Sequence, residues 1–154
     1  MTRPQGGEIF IKFSDLSRIT RTPAPTLAQR IDRGIFKLSR RDKLSSGSGS
    51  YREFSRITTI KFAIAQKFVE LNVSAGPAHE AASLFTDHSQ PGRAAGELFP
   101  QDRTVICLRK SGPVLINAPY FYDFADLADH GDAFVALDCA KICREVDTAL
   151  SRFK

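Results

Sequence analysis

The sequence predicts an α+β protein whose first half is mainly helical and whose second half contains short strands. Apolar residues recur at helical spacing up to about residue 88, and short apolar runs bounded by turn residues follow residue 103. A proline- and glycine-bearing stretch separates the two regions. The 154 residues suffice for one ordinary domain or two small ones. We therefore predict an N-terminal domain over 9–88, a linker over 89–103 and a small α+β domain over 104–154.

Two short helices joined by a tight turn are predicted first. The first covers about residues 14–20, with Ser14 as its N-cap. Residues 21–25 interrupt the helical pattern, and Pro25 suits the first turn of a second helix that ends before Gly34. The second helix has a polar outward stripe at i, i+3, i+4 and i+7, made of Thr26, Gln29, Arg30 and Arg33.

A two-stranded hairpin is predicted next. Residues 35–40 have the pattern of a short strand, and residues 51–54 that of the return strand. The polar tract between them then forms the tip of the hairpin. Taken alone, its part from Ser45 to Ser50 also fits a flexible interdomain linker, and this alternative stays open.

Two more helices complete the N-terminal domain. Ser55 is the expected N-cap of the longest helix, about residues 56–71, whose apolar stripe repeats at spacings of 3, 4, 4 and 3. Pro77 opens the next helix. The C-terminal domain is predicted to contain strands over 104–108, 114–116 and 133–137, a short helix over 120–129 and a final helix over 139–153.

The net charge of +5 is unevenly distributed along the chain. Residues 1–75 contain 14 Lys or Arg against 6 Asp or Glu, whereas residues 76–154 contain 8 against 11. This asymmetry is typical of a front half that binds a polyanion and a rear half with a separate role. A basic face that merely aids solubility would give the same counts.

Motifs of enzymes are missing from the sequence. It contains no Gly-rich phosphate loop, no nucleophile elbow and no His-Glu-x-x-His pattern, so we expect neither an enzyme nor a cofactor. Cys139 and Cys143 lie four residues apart and could hold a metal with Cys107 or His130. Small buried cysteines are more often part of a core, so no metal site is assigned.

The expected location is the cytoplasm, in association with the nucleoid. Three cysteines are too few for a disulfide framework, which fits a reducing compartment. The apolar runs are too short to span a bilayer, and the N-terminus lacks an apolar signal core. We therefore expect no membrane partner.

The predicted order of elements is that of a winged helix-turn-helix, and the sequence resembles the DNA-binding domain of the MerR family over about residues 9–86. The family's turn and second helix, roughly Thr-Gly-Val-Ser-Pro-Ser-Thr-Leu-Arg-Tyr-Tyr-Glu-Arg-Ile-Gly-Leu-Leu, align without a gap on residues 20–36. The shared residues there are Thr20, Thr26, Leu27 and Gly34. The family's wing signature, Gly-Tyr-Arg followed by one residue and an aromatic, is similar to Gly49, Tyr51, Arg52 and Phe54, with Ser50 inserted.

The sequence also departs from this family. Ala28 and Gln29 replace an Arg-Tyr pair that the family uses near the DNA backbone, so those contacts are not carried over. Residues 89–103 stand where family members continue into a long helix that pairs with its partner. The resemblance therefore implies a DNA-binding regulator of transcription, but the family's coiled-coil dimer and its untwisting of the operator are not carried over to this chain.

The expected DNA contacts follow from the way a helix-turn-helix docks. Its second helix enters the major groove, so Thr26, Gln29 and Arg30 are the predicted base contacts. Gln29 suits an adenine edge and Arg30 a guanine edge. The predicted phosphate contacts are the basic or hydroxyl side chains around that helix, namely Arg33, Arg40, Arg41, Lys43, Tyr51, Arg52 and Arg56.

Three functions are compatible with these features. A sequence-specific transcriptional regulator that binds double-stranded DNA is the leading prediction. An excisionase-like DNA-architectural factor of a mobile element or prophage is the alternative, and a module that binds an acidic protein is the third. The aromatic run at residues 120–124 suggests a homodimer through the C-terminal domain, although packing of these rings on the winged domain would also explain it.

Overall fold

The structure, a computed structural model, describes residues 7–42, 53–118 and 134–153. In these ranges the chain is a mixed α+β fold with five α-helices and two small sheets. The helices are α1 (Phe13–Thr20), α2 (Ala24–Asp32), α3 (Arg56–Glu70), α4 (Ala75–Thr86) and α5 (Cys139–Leu150). The strands are β1 (Phe10–Lys12), β2 (Glu53–Ser55), β3 (Arg103–Arg109), β4 (Gly112–Ala118) and β5 (Val135–Asp138).

The first sheet differs from the predicted hairpin. Strand β2 pairs antiparallel with β1, with Ile11 opposite Phe54, and residues 35–40 form no strand. Gly34 has φ of 70°, and the N–H groups of Ile35 and Phe36 both donate to the carbonyl of Arg30. The chain therefore folds back onto the end of α2, which prevents residues 35–40 from extending beside β2.

The predicted helix, turn and helix at the start of the chain are confirmed. The predicted N-cap is wrong: β1 leads directly into α1, so Lys12 rather than Ser14 occupies that position. Arg21 adopts the left-handed conformation, with φ of 55°, and its N–H donates to the carbonyl of Arg18. A turn of three residues, 21–23, then leads into α2, where Pro25 lies in the first turn.

Helix α3 lies at the centre of the fold. Its predicted N-cap is confirmed, because Ser55 Oγ accepts a hydrogen bond from the N–H of Thr58 at 3.3 Å. Helices α1, α4 and α5 pack against it. Helix α4 starts at Ala75, two residues before the predicted Pro77. None of the helices in the described ranges is long and apolar enough to cross a bilayer.

The second sheet has the order β4-β3-β5 and is antiparallel throughout, which confirms the three predicted strands. The predicted helix over 120–129 lies outside the described residues. In the last helix, Ile142, Val146 and Leu150 are buried. The helix predicted over 139–153 ends at Leu150, because the chain leaves α-helical geometry at Ser151 and forms a 3-10 turn in which Phe153 is 44% exposed.

One cluster of buried apolar residues connects the helices to the second sheet. It includes Leu27 of α2, Phe62 of α3, Ile106 of β3 and Val146 of α5. The core thus contains residues from both sides of the predicted linker. The proposed division into two domains stays a prediction.

The segment predicted as a linker is anchored to α4. Arg93 is only 6% exposed, and its guanidinium donates to the carbonyls of Leu84, Phe85, His88, Ala94 and Glu97. The bonds to Leu84 and Phe85 satisfy carbonyls at the C-terminal end of α4, which no helical N–H can reach, and the other three hold the residues that follow the helix. Arg93 therefore fixes this segment to the helix.

Candidate nucleic-acid interface

Helix α2 presents a buried side and an open side. Leu27 is fully buried and Ile31 is 9% exposed, so these two residues hold the helix on the core. On the other side, Gln29 and Arg33 are exposed and Thr26 is partly exposed. The predicted outward positions of Gln29 and Arg33 are confirmed, whereas Arg30 of the same predicted stripe is partly buried.

Buried hydroxyls stabilise the turn before α2. Thr22 is fully buried, and Thr20 Oγ1 donates to the carbonyl of Leu16 at 2.8 Å. Ser17 Oγ donates to the carbonyl of Thr22 at 2.6 Å. These bonds satisfy the backbone at the end of α1 and fix the direction in which α2 leaves the turn.

Arg30 differs from the other predicted base contacts. Its Nη1 donates to Gln66 Oε1 at 2.8 Å, and its guanidinium carbon lies 5.2 Å from the ring centre of Phe36. Burial lowers the pKa of Arg30. This side chain bridges α2 to α3, so Thr26 and Gln29 are the predicted base contacts on the open side of α2.

The residues after α2 carry exposed positive charges on a well-anchored backbone. We call residues 33–41 the basic segment; its exposed basic residues are Arg33, Lys37, Arg40 and Arg41. Phe36 is buried and stacks on His79, with 5.1 Å between ring centres. The N–H of Lys37 donates to His79 Nε2 at 3.1 Å. The segment is thus fixed in its middle while its charged side chains face solvent.

Asp42 anchors the end of the basic segment. Its carboxylate is 9% exposed and accepts hydrogen bonds from Ser39 N at 2.6 Å, Ser55 N at 2.7 Å and Thr58 Oγ1 at 2.6 Å. Ser55 and Thr58 belong to the start of α3, where a negative charge is favourable. Asp42 therefore joins the basic segment to the N-terminus of α3.

Two predicted phosphate contacts have carboxylate partners within the chain. Arg56 donates to both carboxylate oxygens of Asp147 in α5, at 2.6 and 2.9 Å, and this bond raises the pKa of Arg56. Arg41 Nη1 lies 3.7 Å from Glu8 Oε1, with both side chains largely open to water. A phosphate at Arg56 would have to compete with Asp147, whereas the long contact at Arg41 is easily exchanged.

The remaining predicted phosphate contacts, Lys43, Tyr51 and Arg52, lie outside the described residues. Two exposed basic residues near α2, Lys37 and Arg21, are absent from the predicted contacts. Lys37 falls in the predicted strand over 35–40, and Arg21 falls in the predicted break between the two helices. The structure places Lys37 within the basic segment and Arg21 in the turn before α2. Both residues lie close to α2 in the sequence, and this closeness could have identified them as candidate phosphate contacts.

The cysteines are buried in the core. Burial raises the pKa of Cys143 to about 11 and raises the pKa of Cys107 and Cys139 as well, so all three remain thiols at neutral pH. Among the described residues, no three His, Cys, Asp or Glu side chains are grouped closely enough to hold a metal ion. His130, part of the alternative metal set, lies outside the described ranges.

No protein-family model matches the chain, and no curated protein matches it.

Proposed function

We propose that this protein binds double-stranded DNA through α2 and the basic segment. The observation that carries the proposal is the arrangement of α1, the three-residue turn and α2. Buried Leu27 and Ile31 hold α2 on the core, which leaves Gln29 and Arg33 exposed. Two helices joined by such a turn, with a polar outer side on the second, suit insertion of that helix into the major groove.

The side chains on the open side of α2 supply the chemistry for reading bases. The amide of Gln29 can donate and accept at once, as the major-groove edge of adenine requires. Thr26 offers a hydroxyl and a methyl group close to the start of the helix, where base contacts are usually made. In this proposal Arg30 positions α2 through Gln66 rather than reading a base.

The basic segment supplies contacts to the phosphate backbone. Its four exposed cations lie within nine residues directly after α2, on a backbone fixed at Phe36 and Asp42. Because the backbone is already fixed, only the side chains lose freedom when they bind, and each phosphate that they neutralise releases counterions. Arg33, at the end of α2, belongs to the same set.

The finer proposal is a sequence-specific regulator of transcription. The proposal of sequence specificity rests on Thr26 and Gln29, whose side chains can distinguish one base from another. A protein that contacts only the DNA backbone needs no such side chains. A dimer would place two α2 helices on the two halves of one palindromic site.

Selection from a random pool of duplex DNA, followed by footprinting, tests this function. The proposal predicts enrichment of a short motif and protection of one palindromic site. Gln29→Ala should relax the preference at particular base pairs, whereas Lys110→Ala, in the exposed turn between β3 and β4, should leave it unchanged. Tandem sites with strong bending would indicate an architectural factor, and no enrichment or protection would overturn the proposal.

A further inference from the structure

A cavity of about 250 Å³ lies between the end of α1, the middle of α3 and one side of α5. It lies beside the turn that leads into α2, and none of the predicted DNA contacts lines it. Its apolar lining residues are buried or partly buried, and we call them the floor: Ile19, Ala63, Ile142, Val146 and Ala149. Its charged lining residues are exposed or partly exposed, and we call them the rim: Arg18, Arg21, Lys67, Glu145 and Arg152.

The apolar floor sets the size and character of an occupant. A closed apolar cavity of about 150 Å³ is enough for one benzene molecule. The present cavity is larger and partly open, so it accommodates a single ring with a short substituent that reaches the rim. Ions that are hydrated on all sides, such as inorganic phosphate, would leave the floor uncovered.

The charges on the rim favour an anion. Four of its charged residues are cations and only Glu145 is an anion. Arg18 is paired with Asp15 at 2.7 Å, and Lys67 approaches Glu70 at 3.5 Å. Within the described part of the chain, no carboxylate lies within 4.0 Å of the guanidinium of Arg21 or of Arg152.

These two arginines come from different parts of the fold. Arg21 starts the turn after α1, and Arg152 lies in the 3-10 turn after α5. A guanidinium matches the planar geometry of a carboxylate and forms charge-assisted hydrogen bonds with it. The arrangement thus combines an apolar floor with carboxylate-binding groups at its edge.

We propose that this cavity binds a small organic carboxylate whose apolar body is one aromatic ring or a short alkyl chain. The body lies on the floor, against Ile142 and Val146, and the carboxylate faces Arg21 and Arg152. This site does not depend on DNA binding. Because Arg21 is the first residue of the turn before α2, an occupant of the cavity would contact that turn.

Titration of the full chain with 4-ethylbenzoate, followed by backbone amide NMR, tests the site directly. The amide 4-ethylbenzamide has the same shape without the charge. We expect shifts centred on residues 19–21, 63–67 and 142–149, with the acid bound about tenfold more tightly than the amide, the usual effect of one charge-assisted contact. Equal affinities for the two compounds, or shifts that map elsewhere, would overturn the proposal.

Variants then separate the site from general electrostatics. Arg21→Gln and Arg152→Gln should each weaken binding of the acid by about threefold, so that together they account for its advantage of about tenfold, while leaving the weak binding of the amide unchanged. Arg144→Gln is the control: it removes one positive charge from an exposed position of α5 that does not line the cavity. This variant should bind the acid with the same affinity as the unmodified protein. Ala149→Leu should reduce binding of both compounds by filling the floor. Equal losses in Arg144→Gln and Arg21→Gln would show nonspecific attraction and contradict the site.

Discussion

Asp42 and Thr58 are joined by a hydrogen bond of 2.6 Å between Oδ2 and Oγ1, sixteen residues apart in the chain. The same carboxylate accepts the N–H of Ser55, which precedes α3. The basic segment and the central helix are therefore tied together by one buried acid. The position of the proposed phosphate contacts depends on this acid.

Replacement of Asp42 should destabilise the fold strongly. Asp42→Ala leaves the N–H groups of Ser39 and Ser55 and the hydroxyl of Thr58 without their acceptor, at a cost of roughly 2–4 kcal/mol in free energy of unfolding. Chemical denaturation measures this change. Glu70→Ala, which removes an exposed acid 3.5 Å from Lys67, should cost less than about 0.5 kcal/mol. Equal effects of the two substitutions would contradict the anchoring role.

The stability of the protein should fall at mildly acidic pH because of His79. Burial, together with the charges of Lys61 and Lys37, lowers the pKa of His79 from 6.5 to about 4, although Asp87 opposes this. The neutral imidazole also accepts the N–H of Lys37. The unfolded chain therefore binds the proton more readily, so stability is complete above about pH 6.5 and is lost as the pH falls towards 4.

For this shift in the pKa of His79, the free energy of unfolding should fall by about 3 kcal/mol between pH 6.5 and pH 4. Denaturation at a series of pH values should show the slope in the parent and in His88→Gln, which changes an exposed histidine. His79→Gln should be less stable at pH 7 and should lack this part of the slope. An unchanged slope in His79→Gln would show that other groups cause the acid sensitivity.

Arg93 tests whether residues 89–103 act as a flexible linker. Arg93→Lys keeps the positive charge but cannot reach the carbonyls that the guanidinium satisfies, so we expect a loss of roughly 2–4 kcal/mol and a single unfolding transition. Arg144→Lys, on the exposed side of α5, should have little effect. Differential scanning calorimetry measures both the loss of stability and the number of unfolding transitions. A parent chain that unfolds in two separate transitions would favour two independent domains.

Gln29 and Arg33 should have different roles in DNA binding. Gln29→Ala removes a base-reading amide and should cost about 1–3 kcal/mol on the preferred site, with relaxed specificity. Arg33→Ala removes a phosphate contact and should weaken binding to all sequences by a similar factor. Competition assays with preferred and unrelated duplexes separate the two effects. Equal, sequence-independent losses in both variants would remove the assignment of Gln29 to a base.

The helices were predictable because their signals are local. The apolar stripe and the Ser55 cap predicted α3 to within a residue at its start and end. Strand β1 was missed because three residues give little periodicity. Its pairing with β2 joins Phe10 to Ser55, a contact that depends on the intervening helices being in place.

The environments of charged side chains were not predictable from spacing. Arg56 meets Asp147 from a helix 91 residues away in the chain. Lys61 lies outside the apolar stripe of α3, yet it is 2% exposed because its Nζ reaches Asp87 at 2.7 Å. In both cases packing between distant helices decides whether a cation faces solvent or a carboxylate. The type of a residue and its position in the helical repeat do not indicate which of these two environments its side chain will have.

The dependence of DNA affinity on salt tests the central claim most directly. If the four exposed cations of the basic segment contact phosphates, the logarithm of the association constant should fall linearly with the logarithm of salt concentration, by about 0.9 for each contact. The double variant Arg33→Gln with Arg40→Gln should reduce this slope by about 2, whereas Lys110→Gln with Lys141→Gln should leave it unchanged. Absence of binding, an affinity independent of salt, or equal changes in the two double variants would contradict the account.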